Sequence, residues 1–574
     1  MKGQPMDQLP GSLGPSQRQH DLSRLEQEHL DVLVIGGGIT GAGCALDAVT
    51  RGLSVGLVEQ RDLASGTSSR SSKLIHGGLR YLEQFNFALV REALHERGLL
   101  ADTIAPHMIR PVAFLIPLTS RVWQRAYFGA GVMLYDLLAL SSKHPFPRHR
   151  HLSRTSALEL MPGLKSSSLI GGIVYHDAQV DDARYTIAVA RTAARHGAAI
   201  ATSTEVTGLV IEEGRVVGAK LRDLETGRDF EVRASTVINA TGVWIDQIQK
   251  MAGPAGLSVD AAKGVHITVP GACIEGSSGV VVRTKKSVLF IIPWGDEWLL
   301  GTTDTPWHRD LNHPAASSAD IGYLLEQANQ VLSRPLTRDD IIGVFAGLRP
   351  LIRGTNEDTT KLSREHSVAQ PVPGLISIAG GKYTTYRVMA SDTIDAAAEH
   401  LSRPVPDSCT AELPLTGADG WDDLAASSES LADRHGLPRD LVDRLLWRHG
   451  SCIHDVLAIA ETDPALKEIL PGGRYLAAEI VNGARNEGAL HLDDMLARRM
   501  RISFENPQRG LATAEYVAQI MAGELGWSTD KTAAEIELWS ERVNAELAAN
   551  HAPDDEAADA LRSEVTDARR VINI

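Results

Sequence analysis

Apolar and polar residues follow one another along the chain in blocks typical of an α/β protein. The segment DVLVIGGGITGAGCALDAVTRG opens with the apolar run Val32–Ile35, which predicts a buried parallel strand, and continues after Gly41 with amphipathic helical spacing. LSVGLVEQ predicts a second strand that ends at Glu59. STVINATGVW (235–244) and GLISIAGGKYTTYRVMA (374–390) each predict another strand that leads into a turn. The fold class is therefore α/β.

Two other regions depart from this pattern. SVLFIIPWGDEWLLGTTDT predicts two apolar strands around a Gly-Asp turn, and hence an antiparallel sheet inserted into the α/β fold. From about Ser402, the Pro-containing linker SRPVPDSC precedes LVDRLLWRHG, YLAAEIVNGARNEG and LDDMLARRMRISF, which have helical spacing with glycine stops. We therefore expect an all-helical C-terminal domain. The last thirty residues are acidic and Ala-rich, and predict either a helix or a loose tail.

Composition excludes several classes of protein. A chain of 574 residues predicts two or more domains, and a net charge of −15 argues against a nucleic-acid-binding protein. The four cysteines lack CxxC or zinc-ligand spacing, which disfavours a disulfide framework or a structural metal site and indicates a reducing compartment. Residues 1–28 are polar and lack the apolar core of a signal peptide, so they predict a disordered arm.

The apolar run Tyr127–Leu140 is too short to span a bilayer. It lies in a region, 111–158, that carries a single acidic residue, Asp136. The basic residues of this region are Arg121, Arg125, Lys143, Arg148, Arg150 and Arg154. Such a local excess of positive charge beside an apolar run suits a membrane surface, or else a buried helix followed by a solvated basic loop.

The first strand and helix enclose a glycine motif, GxGxxG, formed by Gly36, Gly38 and Gly41. Glycines there permit a tight turn and let a pyrophosphate approach the amides at a helix N-terminus. Glu59, at the end of the second strand, can accept hydrogen bonds from both ribose hydroxyls of an adenosine. NAD and FAD both fit these residues. The two later strand ends, 235–244 and 374–390, favour an extended FAD in an interrupted Rossmann domain.

A further stretch, SSRSSKLIHGGLRYLE (68–83), combines hydroxyl groups with bases. Together with GGGITGAG, KGVHITVP, FAGLRPL, GGKYTTYR and LDDMLARRMR it resembles the FAD-dependent glycerol-3-phosphate dehydrogenases of aerobic glycerol metabolism, over about Asp31 to Arg501. The resemblance implies an FAD-binding fold of the glutathione-reductase and D-amino-acid-oxidase type. It implies FAD contacts at Gly36, Gly37, Gly38, Ile39, Thr40, Gly41, Glu59, Thr67, Ser68, Ser71, Ser72, Leu74, His76, Gly77, Val206, Ala240, Thr241, Gly242, Gly381, Lys382 and Thr384.

The resemblance also implies a substrate site. His266 is the leading candidate for the base that takes the hydroxyl proton, and His76 is its rival. A phosphate monoester calls for several fixed cations. The residues implied for substrate binding are His76, Arg80, Tyr81, His266, Arg349, Arg364 and Lys382, with direct catalytic roles for His266, Arg349, Lys382 and Arg80. Lys382 can alternatively stabilise negative charge on the reduced flavin.

The implied reaction is oxidation of sn-glycerol 3-phosphate to dihydroxyacetone phosphate, with electrons passed to a membrane quinone. The alternatives are an oxidase that uses O₂, a more distant amine oxidase, and a non-enzymatic FAD-binding redox sensor. We expect a homodimer attached peripherally to the cytoplasmic face of the cell membrane. The expected regions are an arm (1–28), FAD-binding segments (about 29–100, 170–262 and 345–400), substrate-domain segments (about 101–169 and 263–344), a helical domain (401–545) and a tail (546–574).

Overall fold

The structure is a computed structural model that describes residues 10–83, 85–120, 123–139, 146–167, 169–253, 256–284, 288–353, 365–471 and 473–570. Its strands are β1 His29–Ile35, β2 Val55–Val58, β3 Leu74–Ile75, β4 Arg110–Leu118, β5 Arg150–Ser153, β6 Gly171–Gln179, β7 Ala199–Ala201, β8 Thr204–Glu212, β9 Arg215–Asp223, β10 Asp229–Asn239, β11 Val259–Pro270, β12 Gly279–Arg283, β13 Val288–Trp294, β14 Glu297–Gly301, β15 Thr305–Trp307, β16 Gly343–Ile352, β17 His366–Val372 and β18 Leu375–Gly380.

The helices are distributed between the strands and then fill the C-terminal third. They are α1 Pro15–Gln27, α2 Ile39–Thr50, α3 Phe87–Leu99, α4 Trp123–Leu138, α5 Arg154–Leu160, α6 Asp182–Arg195, α7 Ile245–Ala252, α8 Ser318–Asn329, α9 Tyr386–Ala398, α10 Trp421–Ala426, α11 Ser428–His435, α12 Arg439–His449, α13 Ile453–Ala460, α14 Ala477–Arg485, α15 Leu492–Asp494, α16 Ile502–Glu505, α17 Leu511–Leu525, α18 Thr529–Ala549 and α19 Asp555–Ser563. Among these described helices, none has the length and hydropathy needed to cross a bilayer.

The first sheet has the strand order β17-β18-β10-β1-β2-β7, and the pairs β18/β10, β10/β1, β1/β2 and β2/β7 are parallel. The hairpin β8–β9 extends it along β10. Apolar residues of α2, α6 and α9 pack on one face of this sheet. Since the carboxyl ends of β1, β10 and β18 lie side by side, the turns after these strands converge on one edge, where open α/β sheets bind their ligands.

The second sheet has the order β15-β11-β14-β13-β12-β4-β6-β3, with β16 paired to β11 and β5 to β6. Its pairs are antiparallel except β4 with β12, as expected for the substrate domain. The strands β6 and β16 pair here, although the predicted boundaries put most of their residues in FAD-binding segments. The reason is that both are long apolar strands, whose periodicity does not specify which sheet they join.

The prediction of a disordered N-terminal arm is wrong for Pro15–Gln27, which forms α1. Leu22 and Leu25 pack into a core that includes Ala199 of β7. The Asp21 carboxylate accepts the Ile200 amide at 3.0 Å, so α1 covers the outer strand of the first sheet. This helix has few apolar residues and depends on distant partners, which explains why its pattern does not reveal it.

The C-terminal third is helical, as predicted, and two apolar cores lie within it. The acidic tail continues this structure: α18 runs through the predicted boundary at residue 545, and α19 follows. Arg569 is buried and forms ion pairs with Asp493 and Asp494. The tail therefore packs as part of the folded molecule over its described residues.

Candidate functional site

The glycine motif forms the turn between β1 and α2. Gly36 has a φ of 111°, and a Cβ atom there would lie 2.7 Å from the Ala240 carbonyl oxygen. A Cβ on Gly41 would lie only 1.8 Å from the Gly36 carbonyl oxygen. Helix α2 begins after Gly38 without a side-chain cap, so the turn presents backbone amides at a helix N-terminus. This geometry suits a pyrophosphate.

Glu59 follows the second parallel strand and lies beside this turn. Its carboxylate accepts the Gly37 amide at 2.7 Å and the Arg61 amide at 2.9 Å. Burial raises the pKa of Glu59 above its ordinary value despite these two hydrogen bonds. The carboxylate is thus held at the cavity wall, where it can accept the hydroxyls of a ribose.

The serine-rich segment runs from the N-terminus of α2 to the second sheet, where its strand β3 pairs with β6. Ser68 Oγ accepts the Ile39 amide at 2.9 Å, at the start of α2. Ser71 Oγ donates to Asp182 at 2.7 Å, so this hydroxyl is engaged by the protein. Thr384 Oγ1 accepts the His76 amide at 3.1 Å and thereby ties the segment to the start of α9. The start and the middle of the segment, at Ser68 and His76, are thus each fixed by one of the nucleotide-binding turns.

His266 lies on β11, between β14 and β16, and is 2% exposed. Its Nε2 atom lies 2.9 Å from Ser72 Oγ, and its ring stacks on Phe345 with centroids 4.8 Å apart. A Cβ on Gly301 would meet the imidazole at 2.1 Å, so glycine leaves room for the ring. Burial, reinforced by the charges of Lys73 and Arg349, holds the pKa of His266 well below its ordinary range. The imidazole is therefore neutral at physiological pH.

Two of the predicted cations, Arg349 and Lys382, line this cavity at different positions. Arg349 on β16 donates to Asp304 Oδ1 at 3.1 Å and to Thr302 Oγ1 at 2.9 Å. The Lys382 ammonium lies 3.9 Å from the centroid of the Tyr81 ring. The side chains of Arg80 and Arg364 lie outside the described part of the chain.

These groups line one cavity of about 1330 Å³. Of the predicted residues, it is lined by Gly36, Gly38, Ile39, Thr40, Glu59, Thr67, Ser68, Ser71, Ser72, Leu74, His76, Tyr81, Val206, Ala240, Thr241, Gly242, His266, Arg349, Gly381, Lys382 and Thr384. Gly37, Gly41 and Gly77 are not among its lining residues. The first two shape the turn, and the Gly77 amide donates to the Tyr135 hydroxyl at 2.8 Å.

Sequence reasoning missed several lining residues. Thr302 and Asp304 lie between β14 and β15 and contact Arg349; the polar run TTDT after an apolar strand could have indicated them. The sequence also did not reveal that the cavity extends into an apolar chamber. That chamber is lined by Phe85, Phe87, Ile116, Tyr127, Phe128, Leu134, Val281, Val288 and Phe290.

The residues present fit FAD. The glycine turn leaves space that a side chain would fill, Glu59 offers a ribose partner, and turns from three parallel strands line the same cavity. The volume exceeds the roughly 300–1,000 Å³ of common small-molecule sites, which suits a dinucleotide together with a substrate. Lys382 lies next to Gly381 and supplies positive charge on this wall.

Comparison with known proteins gives a consistent result. A family model for FAD dependent oxidoreductases matches residues 31–387, and one for the C-terminal domain of alpha-glycerophosphate oxidase matches residues 408–532. Glycerol-3-phosphate dehydrogenase 2 of Mycobacterium tuberculosis is 53% identical over 563 residues, 98% of this chain and 96% of that protein. The mitochondrial glycerol-3-phosphate dehydrogenase of Homo sapiens is 38% identical over 91% of this chain and 74% of that protein.

Among solved structures, the glycerol-3-phosphate dehydrogenase of Bacillus halodurans, complexed with FAD, is similar to this chain. It superposes with a TM-score of 0.76 at 30% identity, covering 95% of this chain and 99% of that one. The similarity therefore extends over both sheets and the helical C-terminal third.

Proposed function

Because the chain belongs to the glycerol-3-phosphate dehydrogenase family of FAD-dependent oxidoreductases, we propose that it oxidises sn-glycerol 3-phosphate to dihydroxyacetone phosphate with FAD as its cofactor. The observation that carries this proposal is the buried His266 placed in one cavity with the glycine turn and Arg349. A dinucleotide site, a base and a phosphate-directed cation are the parts that this oxidation needs.

The cofactor would be held by the amides of the turn around Gly36 and Gly38, by Glu59, and by the turns that contain Thr241 and Lys382. Bound FAD supplies an acceptor for the hydride of a secondary alcohol. Thr241 donates to Asn239 Oδ1 at 2.7 Å, which fixes its side chain at the end of β10. These groups lie on the ends of parallel strands, so the protein positions them with little freedom.

His266 would take the hydroxyl proton. When the proton of the neutral imidazole is on Nδ1, the lone pair of Nε2 faces Ser72 Oγ. A substrate hydroxyl would then compete with the Ser72 hydroxyl for this lone pair. The stacked Phe345 ring and the glycine at position 301 hold the imidazole plane. Replacing His266 with Gln should therefore lower kcat by about 10²–10⁴-fold while the protein still binds FAD.

Arg349 would bind the phosphate together with Lys382, with the predicted participation of His76, Tyr81, Arg80 and Arg364. The guanidinium is held in place by Asp304 and Thr302, so it meets the substrate already oriented. Charge-assisted hydrogen bonds to a phosphate contribute about 1.5–3 kcal/mol each, or roughly 10–150-fold in affinity. Arg349→Lys should raise KM for glycerol 3-phosphate by a factor in that range.

The test is anaerobic mixing of the FAD-loaded protein with glycerol 3-phosphate while the flavin absorption band is followed. Bleaching supports an alcohol-oxidising enzyme, and glycerol without the phosphate should bleach the band far more slowly. Arg353→Lys is the matched control for Arg349→Lys, because Arg353 lies just beyond β16 and pairs with Asp260 at the surface. It should leave KM for glycerol 3-phosphate unchanged. No bleaching by glycerol 3-phosphate would refute the proposal and favour the redox sensor.

We further propose that the electrons pass to a membrane quinone. The apolar chamber of the cavity opens beside α4, where Trp123, Tyr127, Met133 and Leu137 are exposed at 47–62%. Phe85 next to it is 79% exposed. An exposed apolar patch rimmed by polar residues is typical of a lipid or protein contact. Comparing a soluble quinone analogue with O₂ as oxidant would separate a dehydrogenase from an oxidase.

The same surface supports peripheral attachment to the cytoplasmic face of the membrane. Arg148, Arg150 and Arg154 are exposed and follow α4 along the chain, while Lys143 lies outside the described residues. Met133→Asp with Leu137→Asp should reduce sedimentation with anionic vesicles, whereas Ile211→Asp, at a position on β8 that is 45% exposed, should not. Wild-type protein that stays in solution with these vesicles would contradict the proposal. The homodimer stays a prediction, which analytical ultracentrifugation would test.

A further inference from the structure

Lys73 is a fully buried lysine within the serine-rich segment, at 0% exposure. Its ammonium lies 4.9 Å from the Phe345 ring centroid, 5.1 Å from that of Phe504 and 5.7 Å from that of Trp294. Lys73 also has a φ of 58°, a left-handed conformation that bulky side chains rarely adopt. Such a conformation persists only where surrounding contacts impose it, and it is concentrated at functional sites.

Two contacts connect Lys73 to the proposed base. The Phe345 ring contacts both groups, because the Lys73 ammonium lies 4.9 Å from its centroid and the His266 ring stacks on it at 4.8 Å and 12°. The residue before Lys73 is Ser72, whose hydroxyl lies 2.9 Å from His266 Nε2. Adjacent residues of one segment therefore act on the same imidazole, one through an aromatic ring and one directly.

Asp182, the first residue of α6, holds the lysine in place. Its carboxylate accepts from Lys73 Nζ at 2.9 Å and from the Ser71 amide at 2.9 Å. Arg501 also donates to Asp182, and to Asp181 at 3.0 Å. Arg501 belongs to the LDDMLARRMR stretch of the helical domain. The residues that would bind FAD and substrate do not include this stretch. The helical domain thus completes the support of Lys73.

We propose that Lys73 is a positioning residue for the oxidation, whose ammonium, held by Asp182 under the Phe345 ring, fixes the plane of His266 and opposes protonation of its imidazole. The proposal rests on the proposed function of His266 as the base. It assigns to a buried lysine the task of keeping that base ready to accept a proton at acid pH. It also gives a reason why Arg501 of the helical domain contacts Asp182, the carboxylate that holds the lysine.

The charges around the two groups support this assignment. The imidazole faces two cations, Lys73 and Arg349, and the second is paired with Asp304. On the far side of the lysine lie Asp182, Asp181 and Arg501. Burial and the Arg501 charge lower the pKa of Lys73 to about 8, so the ammonium is charged over the acid range in which a histidine titrates.

The experiment is the pH profile of kcat/KM for glycerol 3-phosphate with a soluble dye acceptor, measured on FAD-loaded Lys73→Met. The contacts of Lys73 and His266 with the Phe345 ring place the ammonium within about 10 Å of the imidazole. At an effective dielectric near 20, loss of this charge should raise the pH at which His266 titrates by about one unit. The acid limb of the profile should move up by about that amount. Activity should then fall about tenfold at the acid end and much less above neutrality.

The matched control is Lys263→Met. Lys263 lies on the same strand as His266, is also fully buried, bonds to Asp320, and has its ammonium 5.2 Å from the Trp307 ring centroid. Its ammonium is not among the charges that perturb His266. This variant should lose stability without moving the acid limb. An acid limb that stays in place in Lys73→Met, or one that moves equally in both variants, overturns the proposal.

A second readout does not depend on turnover. Diethyl pyrocarbonate reacts with neutral imidazole, so the pH dependence of carbethoxylation of the peptide containing His266, measured by mass spectrometry, reports its protonation directly. Its midpoint should rise in Lys73→Met, and an unchanged midpoint overturns the proposal. If Lys73→Met does not fold, Lys73→Met with Asp182→Asn removes the buried carboxylate charge that the lysine offset, while Arg501 keeps its pair with Asp181, and this variant is measured in the same way. Absence of flavin bleaching in wild type would instead refute the function.

Discussion

Asp62 joins the helical domain to the FAD-binding domain, and its removal should uncouple them. The carboxylate is fully buried and accepts from Arg499 at 2.6 and 2.8 Å, and Arg498 is its second partner. Burial disfavours the carboxylate, yet Arg499 and Arg498 hold the pKa of Asp62 below its ordinary value. Asp62→Asn retains the shape of the side chain and removes the charge that both guanidinium groups face.

Breaking a buried ion pair by removing one partner costs about 3–5 kcal/mol, because the remaining charge stays buried. A unit of 150–250 residues shifts its melting temperature by about 2–4 °C per kcal/mol. If the helical domain unfolds as such a unit, Asp62→Asn should lower its apparent melting temperature by roughly 6–20 °C. Asp62→Leu combined with Arg499→Met removes both charges and should recover much of this loss.

The assay is thermal unfolding of the FAD-loaded protein followed by circular dichroism, with limited proteolysis to identify the unit that opens. The control is Glu212→Gln, which breaks a pair with Arg233 whose side chains are 45% and 58% exposed, and which should leave the melting temperature unchanged within error. A melting temperature for Asp62→Asn that matches this control would refute the reasoning, since the buried carboxylate would then contribute no more than an exposed one.

Two further predictions concern the cofactor turn and acid stability. Gly38→Ala should fold, since a Cβ there meets only Ser68 Oγ at 3.2 Å, but it should lose FAD because the methyl group stands where the pyrophosphate approaches the turn. Gly41→Ala should disturb the turn itself, because its Cβ would lie 1.8 Å from the Gly36 carbonyl oxygen. Absorbance at 450 nm measures bound FAD and circular dichroism measures folding, and full FAD in Gly38→Ala would contradict the first expectation. Burial lowers the pKa of His107 to about 3 and that of His449 to about 4. Below pH 6.5 the unfolded chain therefore binds more protons at these two residues than the folded protein does, and the free energy of unfolding should fall as the pH drops from 6.5 toward 4. Urea midpoints at pH 7 and 5 measure this effect, and His107→Gln should reduce the difference; an identical difference in the variant would contradict it.

The sequence by itself determined the nucleotide-binding part of the fold. The spacing of Gly36, Gly38 and Gly41 after an apolar strand, with Glu59 after the next, is a local pattern because a single strand-helix-strand unit makes all these contacts. The FAD-binding fold, the family and the helical C-terminal third are confirmed. The motif segments that carried the resemblance include both His266 and Arg349, which line the cavity.

Only the tertiary structure decided how the site is assembled. Ser72 and His266 are 194 positions apart, and Arg501 reaches Asp182 over 319 positions, so no periodicity along the chain records these pairs. The disordered arm was predicted wrongly for the same reason, because α1 is stabilised by contacts with a strand that lies far along the chain. Local pattern reports which residues form a strand or a turn, whereas burial, charge pairing and the state of a histidine depend on groups that only folding brings together.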